Sequence, residues 1–161
     1  MTKKSPVEQP PKRYILLISI HGLIRGDDLE LGRDADTGGQ TKYVVDLARS
    51  LSRQGIKRVD LVTQRIVDPA ISSDYSAPIE QLEPGCQIVR IDTGAEGYLP
   101  KEQLWPYLDI FTDNLITWLQ QEELTPSIVH SHYADAGYVG VRLSNLLSVP
   151  LVHTGHSLGR D

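Results

Sequence analysis

Residues 14 to 20 read YILLISI, a short apolar run with three isoleucines. A run of this length with β-branched members predicts a strand that is buried on both faces of a sheet. Four later segments show a similar pattern: RVDLVTQRI (58–66), QIVRIDTG (87–94), SIVHSHY (127–133) and PLVHTGH (150–156). Because helical segments alternate with these strands, the sequence predicts an α/β fold, an open parallel sheet of about five strands with helices on both faces, of Rossmann type.

Three segments carry apolar residues at helical spacing. The first ends at Gly55, a plausible C-cap, and its apolar face is formed by Tyr43, Val44, Leu47, Ala48 and Leu51. The second follows Pro100, is interrupted near its start by Pro106, and places on one face Leu108, Phe111, Leu115, Trp118 and Leu119. The third covers residues 135–149, with Asp135 as its N-cap. We expect Trp105 and Trp118 to pack in the core or between helices.

The segments between these elements differ in character. Residues 21–39 form a long polar loop rich in glycine and acidic side chains, and loops of this length are usually functional or disordered. Residues 68–85 have the Pro, Ser and Asp content of an irregular surface loop. Residues 1–13 are polar and proline-rich, and we interpret them as a disordered tail. The predicted domain therefore spans residues 14–161.

Composition argues against several classes of protein. The formal net charge of −5 provides no basic field for nucleic acid phosphates. The longest purely apolar stretch, within residues 14–20, is too short to cross a bilayer. We expect a soluble, cytoplasmic protein without nucleic acid or membrane partners. The single cysteine, Cys86, follows a turn signal, and we interpret it as a small residue at a strand edge rather than a reactive thiol.

Two adjacent glycines, Gly38 and Gly39, stand at the predicted start of the first helix. The free N–H groups and the dipole of a first helical turn favour an anion, and glycine lets that anion approach the backbone. The pair therefore indicates either a phosphate site or a plain turn that joins the loop to the helix. Neither the G-x-G-x-x-G fingerprint nor the P-loop motif is present.

Histidines lie at the ends of the predicted strands, where α/β sheets bind ligands. His130 and His132 share one face of a strand and could be half of a zinc site, but no third ligand has a convincing spacing. We interpret His132 as a polar contact to a ligand and His130 as a half-buried imidazole. His156 is placed to touch a substrate or to make a structural hydrogen bond. His21 and His153 carry no comparable signal.

Lys101 follows Pro100 at a predicted helix entry, where the helix dipole repels an ammonium group. A cation at that position either serves an anionic ligand or is a solvated surface lysine.

Four segments together resemble, in the same order, the N-terminal part of the glucosyltransferase region of the sucrose-phosphate synthases. They are LISIHGLIRGDDLELGRDADTGGQTKYVVDLARSL, YLPKEQLWPYL, HSHYADAGYVG and TGHSLGRD, and the similarity runs from about Tyr14 to Asp161 with residues 67–86 as its loose part. The resemblance implies a retaining glucosyltransferase with two Rossmann-like domains facing across a cleft, the GT-B arrangement. This chain would be part of the N-terminal domain, which binds the sugar that receives glucose.

Enzymes of this family transfer glucose from UDP-glucose to fructose 6-phosphate, which gives sucrose 6-phosphate and UDP. The resemblance implies that Gly38 and Gln40 contact fructose 6-phosphate, with the Gly38–Gly39 backbone near the donor diphosphate. It further implies that Lys101 holds the phosphate of fructose 6-phosphate, that His156 lies beside the reacting glucose as the catalytic residue, and that the pocket is lined by His132 and Tyr133.

The same resemblance predicts how the chain is organised. We expect it to carry the fructose 6-phosphate side only, to stop before the C-terminal donor domain that would be its partner, and to be inactive alone. No cofactor or metal is expected to be required, and stimulation by Mg²⁺ stays open. Two alternatives are a stand-alone sugar-phosphate-binding or regulatory module and an enzyme like sucrose synthase, which shares the GGQ segment. A CheY-like or nucleotide-sensing domain is disfavoured because no acidic cluster directly follows the first strand.

Overall fold

The structure is a computed structural model that describes residues 13–157. Its strands are β1 (Tyr14–Ile18), β2 (Arg58–Arg65), β3 (Ile79–Glu83), β4 (Cys86–Asp92), β5 (Ile128–His132) and β6 (Leu151–Thr154). Its α-helices are α1 (Gly39–Arg53), the single turn α2 (Lys101–Leu104), α3 (Leu108–Gln121) and α4 (Tyr133–Leu147). Apart from Arg13, the predicted tail lies outside the described residues, as does the last part of the TGHSLGRD segment (158–161).

The six strands form one sheet in the order β3-β4-β2-β1-β5-β6. Only β3 is antiparallel to its neighbour, so the predicted Rossmann-like parallel α/β sheet is confirmed. From β1 the chain continues on one side to β2 and β4, and later on the other side to β5 and β6. The strand order therefore reverses between β1 and β5, and in sheets of this kind ligands bind at the carboxyl ends of the strands at that point.

The prediction of about five strands missed β3, which lies within the segment interpreted as an irregular loop. Its sequence, IEQLE, is polar because it forms the sheet edge, where Ile79 is 44% exposed. The turn to β4 contains Gly85 at φ +75°, and a Cβ there would lie 2.6 Å from the carbonyl oxygen of Lys57. Edge strands with short polar sequences give little periodic signal.

Apolar side chains cover both faces of the sheet. Alternate residues of β1 point to opposite sides: Leu16 and Ile18 pack in the cluster that includes α3 and α4, whereas Leu17 packs in the cluster with α1. All three side chains are fully buried. Helices on both faces, as predicted, account for the continuous apolar run in YILLISI.

Several helix details differ from the predictions. Helix α4 begins at Tyr133, so Asp135 lies in its first turn and is not its N-cap. Tyr43 is 48% exposed, so it does not belong to the core. Trp105 is 47% exposed but packs against Tyr138 of α4 with ring centroids 6.1 Å apart, which agrees with the predicted packing between helices. Helix α1 ends one residue before the predicted cap: Gln54 is its C-cap, and Gly55 follows at φ +85°.

The long loop after β1 is anchored at two points. Leu23 and Ile24 are buried in separate apolar clusters, and the Thr37 hydroxyl accepts a hydrogen bond of 3.1 Å from the N–H of Leu23. Gly22 has a φ of +80°, and a Cβ there would lie 2.4 Å from the carbonyl oxygen of Asp36. These contacts hold the loop against the start of α1.

Candidate functional site at the carboxyl ends of the strands

A cleft of about 340 Å³ lies where the loops after β1 and β6 meet the starts of α1, α2 and α4. It is lined by His21, Ala35, Asp36, Gly38, Gly39, Gln40, Lys101, Tyr133, His156 and Ser157. Six of the seven predicted site residues therefore line one cleft, although they come from four different parts of the sequence. The seventh, His132, lies beneath it.

The start of α1 presents unblocked backbone N–H groups to this cleft. Gly38 is the N-cap without a side-chain capping bond, and the first turn has no acidic residue. A Cβ at Gly38 or Gly39 would meet nothing within 4 Å, and neither residue has a positive φ. Packing within residues 13–157 therefore does not require glycine at either position. What the glycines provide is open space in front of a helix N-terminus, where an anion is favoured.

Gln40 and Thr41 complete this turn. The Gln40 amide donates a hydrogen bond of 3.1 Å to the Ser19 hydroxyl, which ties its side chain to the end of β1. The Thr41 hydroxyl donates to the carbonyl oxygen of Gly38 at 2.7 Å. The turn is thus held from behind, and the N–H groups of Gly39 and Gln40 have no protein partner within the described residues.

The Lys101 side chain is paired with a buried carboxylate. Its Nζ lies 2.8 Å from Asp36 Oδ1, and its backbone N–H donates to Asp36 Oδ2 at 2.7 Å. The Asp36 side chain is only 5% exposed, whereas that of Lys101 is 26% exposed. The hydrogen bond to Asp36 raises the pKa of Lys101. The lysine is therefore a fixed cation at the cleft, which the sequence indicated, but its anionic partner in this structure belongs to the protein.

His156 and His132 form a hydrogen-bonded pair. His132 Nδ1 lies 2.9 Å from His156 Nε2, and His132 is fully buried while His156 is exposed. Burial, and then the neighbouring His130 and His156, lower the pKa of His132 to about 3, so this ring is neutral at physiological pH. The resemblance implied that His132 lines the pocket. In the structure it lies beneath the cleft and supports His156 from below. His130 is half-buried and bonded to Thr154 Oγ1 at 2.8 Å, as interpreted from the sequence.

Two cleft residues have strained backbones. Tyr133 has a φ of +73° and His156 a φ of +61°, in the left-handed region that favours glycine. Such conformations cost of the order of 1–3 kcal/mol each and are concentrated at functional sites. Tyr133 directly follows β5 and His156 lies two residues after the end of β6, so neither side chain is oriented by a strand backbone.

Sequence reasoning overlooked His21, which lines the cleft. Its Nδ1 lies 2.9 Å from Asp135 Oδ2, and the Asp135 side chain is 1% exposed. The Tyr133 ring packs edge-on against His21 with ring centroids 4.8 Å apart. A signal existed: parallel strands end at the same sheet edge, so a histidine after one strand and an acid after another can meet there. Finding it required the strand order.

Several other groups stay outside this chemistry. Cys86 is buried at the start of β4, where burial raises the pKa of its thiol to about 11, so it is not a reactive thiolate. Within residues 13–157 no group of three or more His, Cys, Asp and Glu side chains is arranged to hold a metal. None of the helices described there is both long and apolar enough to span a bilayer.

Comparison with protein families identifies the class. The sequence profile of the glycosyl transferase 4-like domain matches residues 38–161. That range includes most of the chain, so the protein belongs to this family of glycosyltransferases.

Among curated proteins, the chain is similar to sucrose-phosphate synthases. It is 46% identical to a probable sucrose-phosphate synthase 2 of Arabidopsis thaliana, and the match includes 93% of this chain and 17% of that protein. A probable sucrose-phosphate synthase 4 of Oryza sativa subsp. japonica matches to the same extent. The chain thus spans 17% of the length of these relatives.

A solved structure shows the same arrangement. The sucrose-phosphate synthase of Thermosynechococcus elongatus matches with a TM-score of 0.75 and 29% identity, over 92% of this chain and 34% of that protein. The resemblance found in the sequence motifs is therefore confirmed in both sequence and fold.

Proposed function

We propose that this domain binds the sugar phosphate that receives glucose in a glucosyl transfer from UDP-glucose to fructose 6-phosphate. The observation that carries the proposal is the meeting of an open glycine pair and a fixed ammonium group in one cleft. A helix N-terminus and a lysine are two independent features that stabilise phosphate. The relatives named above act in sucrose phosphate synthesis, which supports the choice of substrates.

In this proposal each predicted residue has a distinct task. Gly38 and Gln40 contact fructose 6-phosphate, and Lys101 binds its phosphate. The Gly38–Gly39 backbone also lies near the diphosphate of the donor, which departs as UDP. Backbone N–H groups at a helix start stabilise the negative charge that grows on this leaving group, and they do so without a metal.

Two further residues act on the sugars. His156 lies beside the reacting glucose, held by the neutral ring of His132, and Tyr133 lines the pocket for fructose 6-phosphate. Glucose is transferred with retention of configuration, and the departing diphosphate takes the proton of the attacking hydroxyl, so the proposal assigns no protein base. The donor nucleotide is bound mainly by a domain other than the one described.

Titration of the chain with fructose 6-phosphate, fructose and UDP-glucose tests the proposal. The amide chemical shifts of Gly39 and Gln40 are expected to change when fructose 6-phosphate is added and to change little when fructose is added. Lys101→Met is expected to weaken the binding of fructose 6-phosphate by roughly 10- to 100-fold, the effect of losing a charge-assisted hydrogen bond. UDP-glucose is expected to bind weakly.

Lys42→Met is a matched control, because Lys42 is an exposed lysine of α1 that pairs with Asp46. It should leave the affinity for fructose 6-phosphate unchanged. Binding that is equally strong for fructose and fructose 6-phosphate, or that survives Lys101→Met, contradicts the proposed phosphate site.

A further inference from the structure

The pair formed by His21 and Asp135 is not explained by the phosphate site, although His21 lines the same cleft. The two residues are 114 positions apart in the sequence and both are almost completely buried. The carboxylate lies in the first turn of α4, where the helix dipole favours a negative charge. Because an ionised carboxylate can only accept hydrogen bonds, the contact of 2.9 Å between His21 Nδ1 and Asp135 Oδ2 requires a proton on Nδ1.

His21 lines the cleft, and its other ring nitrogen, Nε2, is the one that does not contact Asp135. Within residues 13–157 Nε2 has no hydrogen-bond partner. Because His21 lines the cleft, a ligand bound there can supply one. With Nδ1 protonated in a neutral ring, Nε2 is a bare hydrogen-bond acceptor.

We infer that Asp135 is a positioning residue that fixes the tautomer of His21, so that Nε2 accepts a hydrogen bond from a hydroxyl of the bound sugar phosphate. This inference rests on the proposed function for the identity of the ligand. It adds a specificity element that phosphate recognition alone does not provide, because an imidazole acceptor selects a ligand that presents a hydroxyl at that point. The edge-on contact with Tyr133 limits rotation of the His21 ring.

The surroundings of Asp135 make Asp135→Asn a sharp test. Asp135 Oδ1 accepts the backbone N–H of Ala136 at 2.6 Å, so the oxygen of an asparagine would take that position. Its NH₂ group would then face His21 Nδ1 and donate to it. His21 would have to carry its proton on Nε2, which turns that acceptor into a donor.

The experiment is ¹⁵N NMR of the histidine rings in mildly alkaline buffer, combined with titration of fructose 6-phosphate. In the wild-type chain the His21 signals should show a protonated Nδ1 and a bare Nε2, and in Asp135→Asn the reverse. The affinity for fructose 6-phosphate should fall roughly tenfold with the change of tautomer. A wild-type His21 that is protonated on Nε2, or on both nitrogens, overturns the inference without any variant being needed.

His21→Gln distinguishes tautomer control from a structural role of Asp135. A glutamine amide can rotate to present its oxygen whatever residue 135 is, so adding Asp135→Asn to His21→Gln should change the affinity no further. An equal loss in both backgrounds means that Asp135 acts through the shape of α4, which overturns the inference. If the tautomer reverses and the affinity is unchanged, the hydroxyl contact is wrong while the phosphate site, tested by Lys101→Met, still stands. If the wild-type chain binds no sugar phosphate, the proposed function and the sugar contact both fail.

Discussion

Asp36 and a bound phosphate would compete for the same lysine. In the structure Lys101 Nζ lies 2.8 Å from Asp36 Oδ1, and the carboxylate is nearly buried. A phosphate that also contacts Nζ would lie on the order of 5 Å from that carboxylate, since each oxygen is about one hydrogen-bond length from the nitrogen. Replacing Asp36 by asparagine is therefore expected to tighten the binding of fructose 6-phosphate.

Coulomb's law gives the size of this effect. Two unit charges about 5 Å apart repel by roughly 1 kcal/mol in water and by roughly 3 kcal/mol at the effective dielectric constant of a protein surface. Asp36→Asn removes this repulsion, and the Kd for fructose 6-phosphate should fall by roughly 5- to 100-fold. The same variant loses a charge-assisted hydrogen bond to a partly buried lysine, so its free energy of unfolding should fall by about 1–2 kcal/mol.

Calorimetric or NMR titration of Asp36→Asn, Lys101→Met and the wild-type chain separates the possibilities. Fructose provides a ligand without the charge, and its affinity should be the same in Asp36→Asn as in the wild type. If Asp36→Asn weakens fructose 6-phosphate binding as much as Lys101→Met does, the carboxylate serves to hold the lysine in place. The reasoning from charge competition would then be refuted.

Three other changes test the structure at different points. Gly39→Ala should raise the free energy of unfolding by up to about 1 kcal/mol, because alanine is the better helix former and its Cβ meets open space. The same variant should weaken phosphate binding. Urea unfolding checks the first effect, and titration with fructose 6-phosphate checks the second. Tyr14→Phe removes the 2.6 Å hydrogen bond to the buried Asp60 and should lower the free energy of unfolding by about 1–3 kcal/mol, as measured by urea denaturation. His132 has a folded-state pKa of about 3 against an ordinary value of 6.5, so the unfolded chain binds more protons between these values and stability falls on acidification through that range. The contribution is at most about 1.4 kcal/mol per pH unit, and His132→Asn should show a smaller loss of stability between neutral pH and pH 5 than the wild type.

The sequence predicts the sheet well because the central strands are buried on both faces. Apolar runs such as YILLISI have no competing interpretation once helical segments alternate with them. The missed strand β3 lies at the edge, where exposure to solvent permits a polar sequence. Edge strands are specified by their neighbours and by the turn at Gly85 more than by their own residues.

Some residues of the candidate site can be identified from the local sequence, whereas others depend on contacts between distant parts of the chain. Gly38, Gly39 and Lys101 could be singled out because each breaks a local expectation for a helix start. The partners of the site residues could not be identified from the sequence, because Asp36 lies 65 positions from Lys101 and Asp135 lies 114 positions from His21. In the sequence these acids look like an ordinary polar loop residue and an ordinary helix cap. Only the order of the strands brings them together.

The strained residues separate by location into two groups, and the difference bears on what the cleft is for. Outside the cleft, Asp28 has a left-handed backbone in the loop after β1, and Glu123 and Ser148 have one at the ends of helices, where such a conformation commonly terminates a helix. In the cleft, Tyr133 begins a helix and His156 follows a strand, so helix termination does not account for either. Glycine would relieve the backbone at both positions but would remove the ring. Each ring has a partner within the protein, His21 for Tyr133 and His132 for His156, and both rings also line the cleft. We propose that contact with bound sugars, added to these contacts, offsets a backbone cost of the order of 1–3 kcal/mol at each residue.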